Sequence, residues 1–121
     1  MAVLLTDSGR ANFAALAIGS GAAISYVGWG SSTTAPARTD TTLGTEITPR
    51  VSATVTAATT SVSNDTIQVA ATMTAAGSIT VAEVGVFTAS SGGVLVLHGS
   101  FSTRTLQSGD TLSLTFTIQF P

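Results

Sequence analysis

Two residue types are missing from this sequence, cysteine and lysine, and charge of either sign is scarce. Charged residues make up 8% of the 121 residues, against about 25% in an ordinary soluble domain. The absence of cysteine excludes disulfides and thiolate metal sites, and a single histidine supplies too few ligands for a zinc centre. The net charge is −2 and the four arginines are scattered, so no basic patch follows a nucleic-acid backbone. We therefore expect no metal, no cofactor and no nucleic-acid partner.

Long apolar runs are also missing. The longest nearly apolar stretch, Phe13 to Ile18, is far shorter than the ~20 residues that a membrane-spanning helix needs, so no membrane partner is expected. Apolar content is nevertheless ordinary at 44%, and small side chains dominate, with 22 threonines, 15 serines, 18 alanines and 12 glycines. Such a composition is not typical of disordered proteins. The length favours one domain, which we place at residues 1–121.

The C-terminal stretch shows what replaces the missing charge. From Leu112 to Phe120, apolar and small polar residues alternate without an error. Successive side chains of a strand project to opposite faces, so the apolar side chains share one face and Ser, Thr and Gln share the other. A neighbouring subunit can cover such a hydroxyl-bearing face without the high cost of desolvating full charges. This pattern indicates a structural subunit of a larger assembly.

The rest of the chain predicts one helix and several more strands. Thr6 or Asp7 can cap a short helix over about Ser8 to Ala17. Period-2 patterning between turn residues predicts six strands, at 22–29, 46–57, 65–75, 78–88, 94–103 and 112–120. Short connections between them favour antiparallel hairpins. The expected fold is mainly β: an antiparallel β-sandwich or open barrel of about six strands with one short N-terminal helix.

Two local features refine this prediction. Pro49 indicates that the strand at 46–57 starts late or lies at a sheet edge, because proline cannot donate to a ladder. The polar segment from Gly30 to Thr45 is long for a loop in a compact domain, and such loops tend to be functional or to pack on another part of the structure. Its second half, 39–43, predicts a single helical turn with Asp40 or Thr39 as its cap and Leu43 pointing inward.

Glu83 stands at the centre of an otherwise apolar strand and therefore needs a partner. We predict either a salt bridge, with Arg50 or Arg104 as the cation, or a carboxylate bonded by backbone amides; Glu83 with Arg50 is the preferred pair. A lone buried carboxylate would rise in pKa and become neutral. His98, also in a strand, has no nucleophile motif to support it, so a structural or surface role is favoured. We expect no enzymatic activity, no catalytic residues and no small-molecule substrate.

Trp29 is the one tryptophan and lies between two glycines at the start of the long loop. It can fill the core or anchor an interface, because tryptophan is enriched at binding hot spots. Trp29, Arg38 and Asp40 are the candidate interface residues. A separate hypothesis is a carbohydrate-binding module in which Trp29 and Tyr26 stack on a sugar, with Asp40 and the threonine-rich loop donating or accepting hydrogen bonds.

The order of short motifs along the chain resembles the N-terminal domain of the phage tail-collar fibre family and related small virion proteins. The motifs are Thr6-Asp7-Ser8-Gly9, Tyr26-Val27-Gly28-Trp29-Gly30, the Pro-Ala-x-Thr-Asp-Thr-x-Leu-x-x-Glu segment at 36–46, Arg50, Glu83-Val84-Gly85-Val86-Phe87, and Gly109-Asp110-Thr111-Leu112. The resemblance implies a non-enzymatic, β-rich component of a phage particle, assembled as a homotrimer. It also implies a virion location, with assembly in the host cytoplasm.

The sequence ends at Pro121, directly after the last predicted strand, with no shaft sequence following it. In that respect the chain resembles small capsid cement or decoration proteins, which implies the major capsid protein as a partner and a role in bracing adjacent capsomers. We therefore favour a cement protein. The alternative is a tail fibre, collar or baseplate subunit of the virion.

Overall fold

The computed structural model describes residues 2–120, which form eight strands and one helix. The elements are β1 (Ala2–Leu5), α1 (Asp7–Ala17), β2 (Tyr26–Gly30), β3 (Glu46–Ser52), β4 (Thr54–Ala58), β5 (Thr66–Thr74), β6 (Ile79–Phe87), β7 (Leu95–Leu106) and β8 (Thr111–Gln119). No helix in this part of the chain is long and apolar enough to cross a membrane. The prediction of a mainly β fold with one short helix is confirmed.

The strands form two antiparallel sheets that pack as an open sandwich, and the described residues contain no closed barrel. The five-stranded sheet has the order β1-β7-β6-β2-β3, and the three-stranded sheet has the order β4-β5-β8. Between them lies a core of mostly β-branched and aromatic side chains: Val27, Trp29, Val69, Met73, Val81, Val84, Val86, Val96, Leu97, Leu114 and Phe116. Phe13 of α1 packs edge-on against Phe120, with ring centroids 5.8 Å apart.

The strands differ from the prediction in length and in number. β2 begins at Tyr26 instead of at residue 22, and β7 extends to Leu106 instead of ending at residue 103. The predicted strand 46–57 is divided at Ala53, because β3 pairs with β2 while β4 pairs with β5 in the other sheet. The Ala53 amide donates to Ser25 O (2.9 Å), so the crossing between sheets is itself hydrogen-bonded. The period-2 pattern continues through this crossing, which is why the sequence does not show it. Residues 2–5, too short to show a period, form β1 along β7.

The helix prediction is confirmed, with a start one residue earlier than expected. Thr6 is the cap: its hydroxyl oxygen accepts a hydrogen bond from the Gly9 amide (2.9 Å), and Asp7 lies in the first turn at the positive end of the helix dipole. The Pro49 prediction is also confirmed, because β3 is an edge strand of its sheet.

The predicted helical turn at 39–43 is wrong. The Asp40 amide donates to Ala37 O (3.0 Å), and the Asp40 carboxylate accepts from the Ala37 amide (2.7 Å). The aspartate therefore closes a tight turn on the residues before it instead of capping a helix after it. Leu43 does point inward, with 5% of its surface exposed.

Candidate functional site

Glu83 lies in the middle of β6 with only 1% of its surface exposed. Its carboxylate accepts three backbone hydrogen bonds, from the amides of Ser32 (3.0 Å), Gly44 (2.8 Å) and Thr45 (2.8 Å). These donors come from both ends of the loop between β2 and β3. A buried carboxylate is tolerable when its lone pairs are satisfied in this way, and here it also joins the loop to the sheet.

His98, on the neighbouring strand β7, completes the site. Its Nε2 lies 3.0 Å from Glu83 Oε1 and its Nδ1 lies 2.8 Å from Asp40 Oδ2. Each ring nitrogen therefore lies at hydrogen-bond distance from a carboxylate oxygen, which holds the ring between Glu83 and Asp40. We call these three residues the Asp40–His98–Glu83 cluster. Through the His98 ring, the cluster links the buried carboxylate of β6 to the turn that Asp40 closes.

The local electrostatics favour ionised carboxylates. Burial raises the pKa of the Glu83 carboxyl, but the amides of Thr45, Gly44 and Ser32, together with His98, lower it by more, so its pKa lies below the ordinary value of 4.5. The Ala37 amide lowers the pKa of the Asp40 carboxyl; partial burial raises it and His98 lowers it further, leaving it below 3.8. Hydrogen bonding to the charged form therefore outweighs desolvation at both residues.

Glycine is needed where the loop meets Glu83. A Cβ at position 30 would lie 2.5 Å from Glu83 Oε2, and a Cβ at position 44 would lie 2.5 Å from the Ser32 side chain. Neither approach leaves room for a side chain, so Gly30 and Gly44 allow the loop backbone to reach the carboxylate.

An open cavity of about 450 Å³ lies over the cluster. Its lining is mostly small and hydroxyl-bearing: Ser32, Thr34, Ala35, Thr39, Asp40, Thr41, Thr42, Leu43, Gly44 and His98. Both nitrogens of His98 are within hydrogen-bond distance of carboxylates, so a molecule in the cavity would have to displace Asp40 or Glu83 to reach one of them. Within residues 2–120, no group of three or more acidic and histidine side chains is arranged to hold a metal.

The predicted pair of Glu83 with Arg50 is not formed, and each residue has other partners. Arg50 binds Glu46 through two hydrogen bonds (Nε–Oε2 2.7 Å, Nη2–Oε1 3.1 Å) and donates through Nη1 to the carbonyls of Ala89 and Gly92 (2.8 Å each). Its guanidinium also lies 3.4 Å from the ring centroid of Phe87. Glu46 and Arg50 are four residues apart on one strand and therefore share a face, which gives Arg50 a nearer carboxylate than Glu83. The alternative that Glu83 is bonded by backbone amides is what the structure shows.

The three candidate interface residues do not form one surface. Trp29 is 3% exposed and packs in the core, so it cannot stack on a sugar, and the aromatic platform of the carbohydrate hypothesis is absent at this residue. Arg38 is exposed, with its Nε 3.7 Å from Asp7 Oδ1. Asp40 belongs to the cluster. Sequence reasoning identified Glu83 as unusual but missed the Asp40–His98 contact, because it joins residues 58 positions apart through a turn that the sequence did not predict.

The outer face of the three-stranded sheet is the second notable surface. Its three strands contain no charged residue. The strand register places hydroxyl, amide and methyl side chains side by side on the outer face, as in the pairs Gln68 with Thr117 and Thr72 with Ser113. The alternation predicted for the last strand is confirmed, because Leu114 and Phe116 are buried while Ser113, Thr115 and Thr117 are exposed.

Comparison with known proteins adds the family. Residues 13–119 match the family model described as Podophage GP4 fiber I protein gp80. No curated protein and no solved structure gives a significant match. The match supports the expected phage structural protein, whereas it confirms neither the tail-collar resemblance nor the cement resemblance. Because it spans nearly the full chain, this protein belongs to that family of phage fibre proteins and is a virion component.

Proposed function

We propose that this chain is a non-enzymatic structural subunit of the tail fibre of a tailed phage. The observation that carries the proposal is the family match over residues 13–119. It favours the fibre alternative over the cement role, and no feature of residues 2–120 points specifically to a capsid shell.

The geometry of the fold supports a structural role. The Asp40–His98–Glu83 cluster fastens the longest loop to the five-stranded sheet, and Arg50 fastens β3 to the turn after β6. These contacts use the titratable side chains for internal bonds instead of presenting them to a substrate. The three-stranded sheet, by contrast, presents hydroxyls that a neighbouring subunit can cover without removing water from full charges.

The homotrimer and the contact with the major capsid protein stay predictions. A fibre subunit needs contacts with copies of itself or with other fibre proteins, whereas a cement protein needs the capsid lattice. The location on the particle therefore separates the two roles.

Electron microscopy of virions labelled with an antibody to this chain tests the proposal. We expect the antibody to label the fibres. As a control, absorbing the antibody with purified protein beforehand should abolish the labelling. Label on the head would replace the fibre role with the cement role. Absence of label from intact and from disrupted particles would overturn both.

A further inference from the structure

The sandwich has four sheet edges, and they differ in what protects them. Natural edge strands avoid pairing with other chains by being short, by carrying charge or proline, or by bulging. Strand β3 carries Glu46, Pro49 and Arg50, and β1 and β4 have four and five residues. Strand β8 has none of these features: it has nine residues without charge or proline, in unbroken register with β5 over nine pairs.

The free edge of β8 is a row of backbone donors and acceptors. β8 pairs with β5 on one side, and no strand of residues 2–120 is hydrogen-bonded to its other side. Thr111, Ser113, Thr115, Thr117 and Gln119 are all exposed along it. Unpaired backbone groups of this kind are a template for another extended strand.

We propose that β8 pairs antiparallel with β8 of a second copy of this chain, about a twofold axis near Thr115. In that register Ser113 faces Thr117 and Leu114 faces Phe116, so hydroxyls meet hydroxyls and apolar side chains meet apolar side chains. Like charges that face each other across a pair are destabilising, and β8 has none to bring together. The inference rests on the proposed role as an assembling structural subunit and names the surface through which copies associate. Its twofold contact is an alternative to the predicted homotrimer, because a closed threefold ring cannot pair β8 with β8.

Length favours β8 over the other two uncharged edges, β1 and β4, as the partner strand, because they have only four and five residues. Head-to-tail pairing of β8 with β4 would use only the five residues of β4, whereas β8 with β8 uses all nine of each strand. Backbone hydrogen bonds and cross-strand pairs accumulate with length, so the twofold arrangement gives the larger contact.

Arg104 of β7 borders this edge, where it lines a groove with Leu112 and Leu114. Leu112 and Leu114 flank position 113, so Arg104 lies beside that position. In the proposed register, position 113 of one copy faces position 117 of the other, and the two Arg104 residues are therefore offset by four residues, or roughly 14 Å, along the strands. This separation exceeds the screening length of about 8 Å at physiological salt. The two arginines therefore do not oppose the pairing.

Disulfide trapping in this cysteine-free chain tests the geometry. Thr115→Cys places the new thiols opposite each other, within the Cα separation of about 4.4 to 6.8 Å that a disulfide needs. Thr72→Cys is the matched control, because it lies on the same exposed face one strand inward, opposite Ser113. Three strand spacings across the sheet and an offset of four residues along the strands set its two copies roughly 20 Å apart. We expect mild oxidation to give a covalent dimer of Thr115→Cys and little of Thr72→Cys. Equal trapping of the two, or a trimer without the Thr115 cross-link, would overturn the proposed contact.

Charged substitutions at the proposed contact test its contribution to dimer affinity without a covalent bond. Thr115→Lys brings two ammonium groups together, and we expect the dimer dissociation constant from sedimentation to rise roughly tenfold or more. Mixing Thr115→Lys with Thr115→Glu should restore a heterodimer, which a simple folding defect would not do. Thr72→Lys should dimerise like the unmodified chain.

The oligomeric state separates this inference from the proposed function. A chain that stays monomeric up to about 1 mM would contradict the proposed β8 contact, even if the antibody labels the fibres. Label on the head, combined with a dimer that depends on β8, would contradict the fibre role but support the proposed contact.

Discussion

The two sheets of this sandwich use charge in opposite ways. The five-stranded sheet holds Glu46, Arg50, Glu83, His98 and Arg104, and four of these five are bound in internal ion pairs. The three-stranded sheet holds no charged residue, and the nearest acids lie in its turns, where Asp65 and Asp110 accept backbone hydrogen bonds. The difference indicates that charge here fixes loops and turns, while the sheet without charge is kept easy to cover. Substitutions in each sheet test this difference.

The largest effect is expected at Glu83. Glu83→Gln keeps the shape of the side chain but removes the charge and turns an amide group toward backbone donors, leaving buried groups unsatisfied. We expect the free energy of unfolding in urea to fall by about 3 kcal/mol. Asp110→Asn is the control, because this exposed carboxylate accepts one backbone amide (Gln107, 2.8 Å), and its loss should be within about 1 kcal/mol. Equal losses would contradict a special role for the buried carboxylate.

Acid should weaken the same site. The pKa values of Glu83 and Asp40 lie below 4.5 and 3.8, so the unfolded chain binds more protons than the folded one as the pH falls through those ordinary values. The stabilisation from the two carboxylates is therefore fully present well above pH 4.5 and is lost as the pH drops toward their folded pKa values. The free energy of unfolding in urea, measured from about pH 3 to about pH 6 around the ordinary carboxyl pKa range, should show this decline. In Glu83→Gln the same free energy should depend less on pH. A stability that rises on acidification would contradict the assignment.

A smaller loss is expected at Arg50. Arg50→Lys retains the charge but loses the two-point contact with Glu46, the donors to the carbonyls of Ala89 and Gly92, and the stacking on Phe87. We expect the free energy of unfolding to fall by about 1 to 2 kcal/mol. Arg38→Lys, at an exposed residue 3.7 Å from Asp7, should change it by less than about 0.5 kcal/mol. Indistinguishable variants would show that charge alone matters at position 50.

The smallest effect on folding is expected on the three-stranded sheet. Thr72→Lys adds a charge to an exposed position of its central strand, and the free energy of unfolding should change by less than about 0.5 kcal/mol. Such a result would show that the fold itself does not require this sheet to be uncharged. A loss above about 2 kcal/mol would mean that the absence of charge serves folding and not association.

The sequence predicted the elements better than the contacts between them. The alternation of apolar and polar residues and the turn residues predicted the fold class and the exposed and buried faces of β8. The capping residue Thr6 predicted the start of the helix. The division at Ala53 was missed because both halves keep the same period while they join different sheets. Glu83 was recognisable from its apolar neighbours, but its partners come from a loop and from β7. Only the strand order, which the pattern does not encode, brings them together.

The most direct test of the contrast between the two sheets is hydrogen exchange, read for individual amides in dilute and in concentrated protein. If the uncharged sheet is the surface that copies of this chain cover, the amides on the free edge of β8 should exchange more slowly on concentration, while those of β3 stay unchanged. Exchange in β8 that is independent of concentration, in a protein that remains folded, would contradict the account.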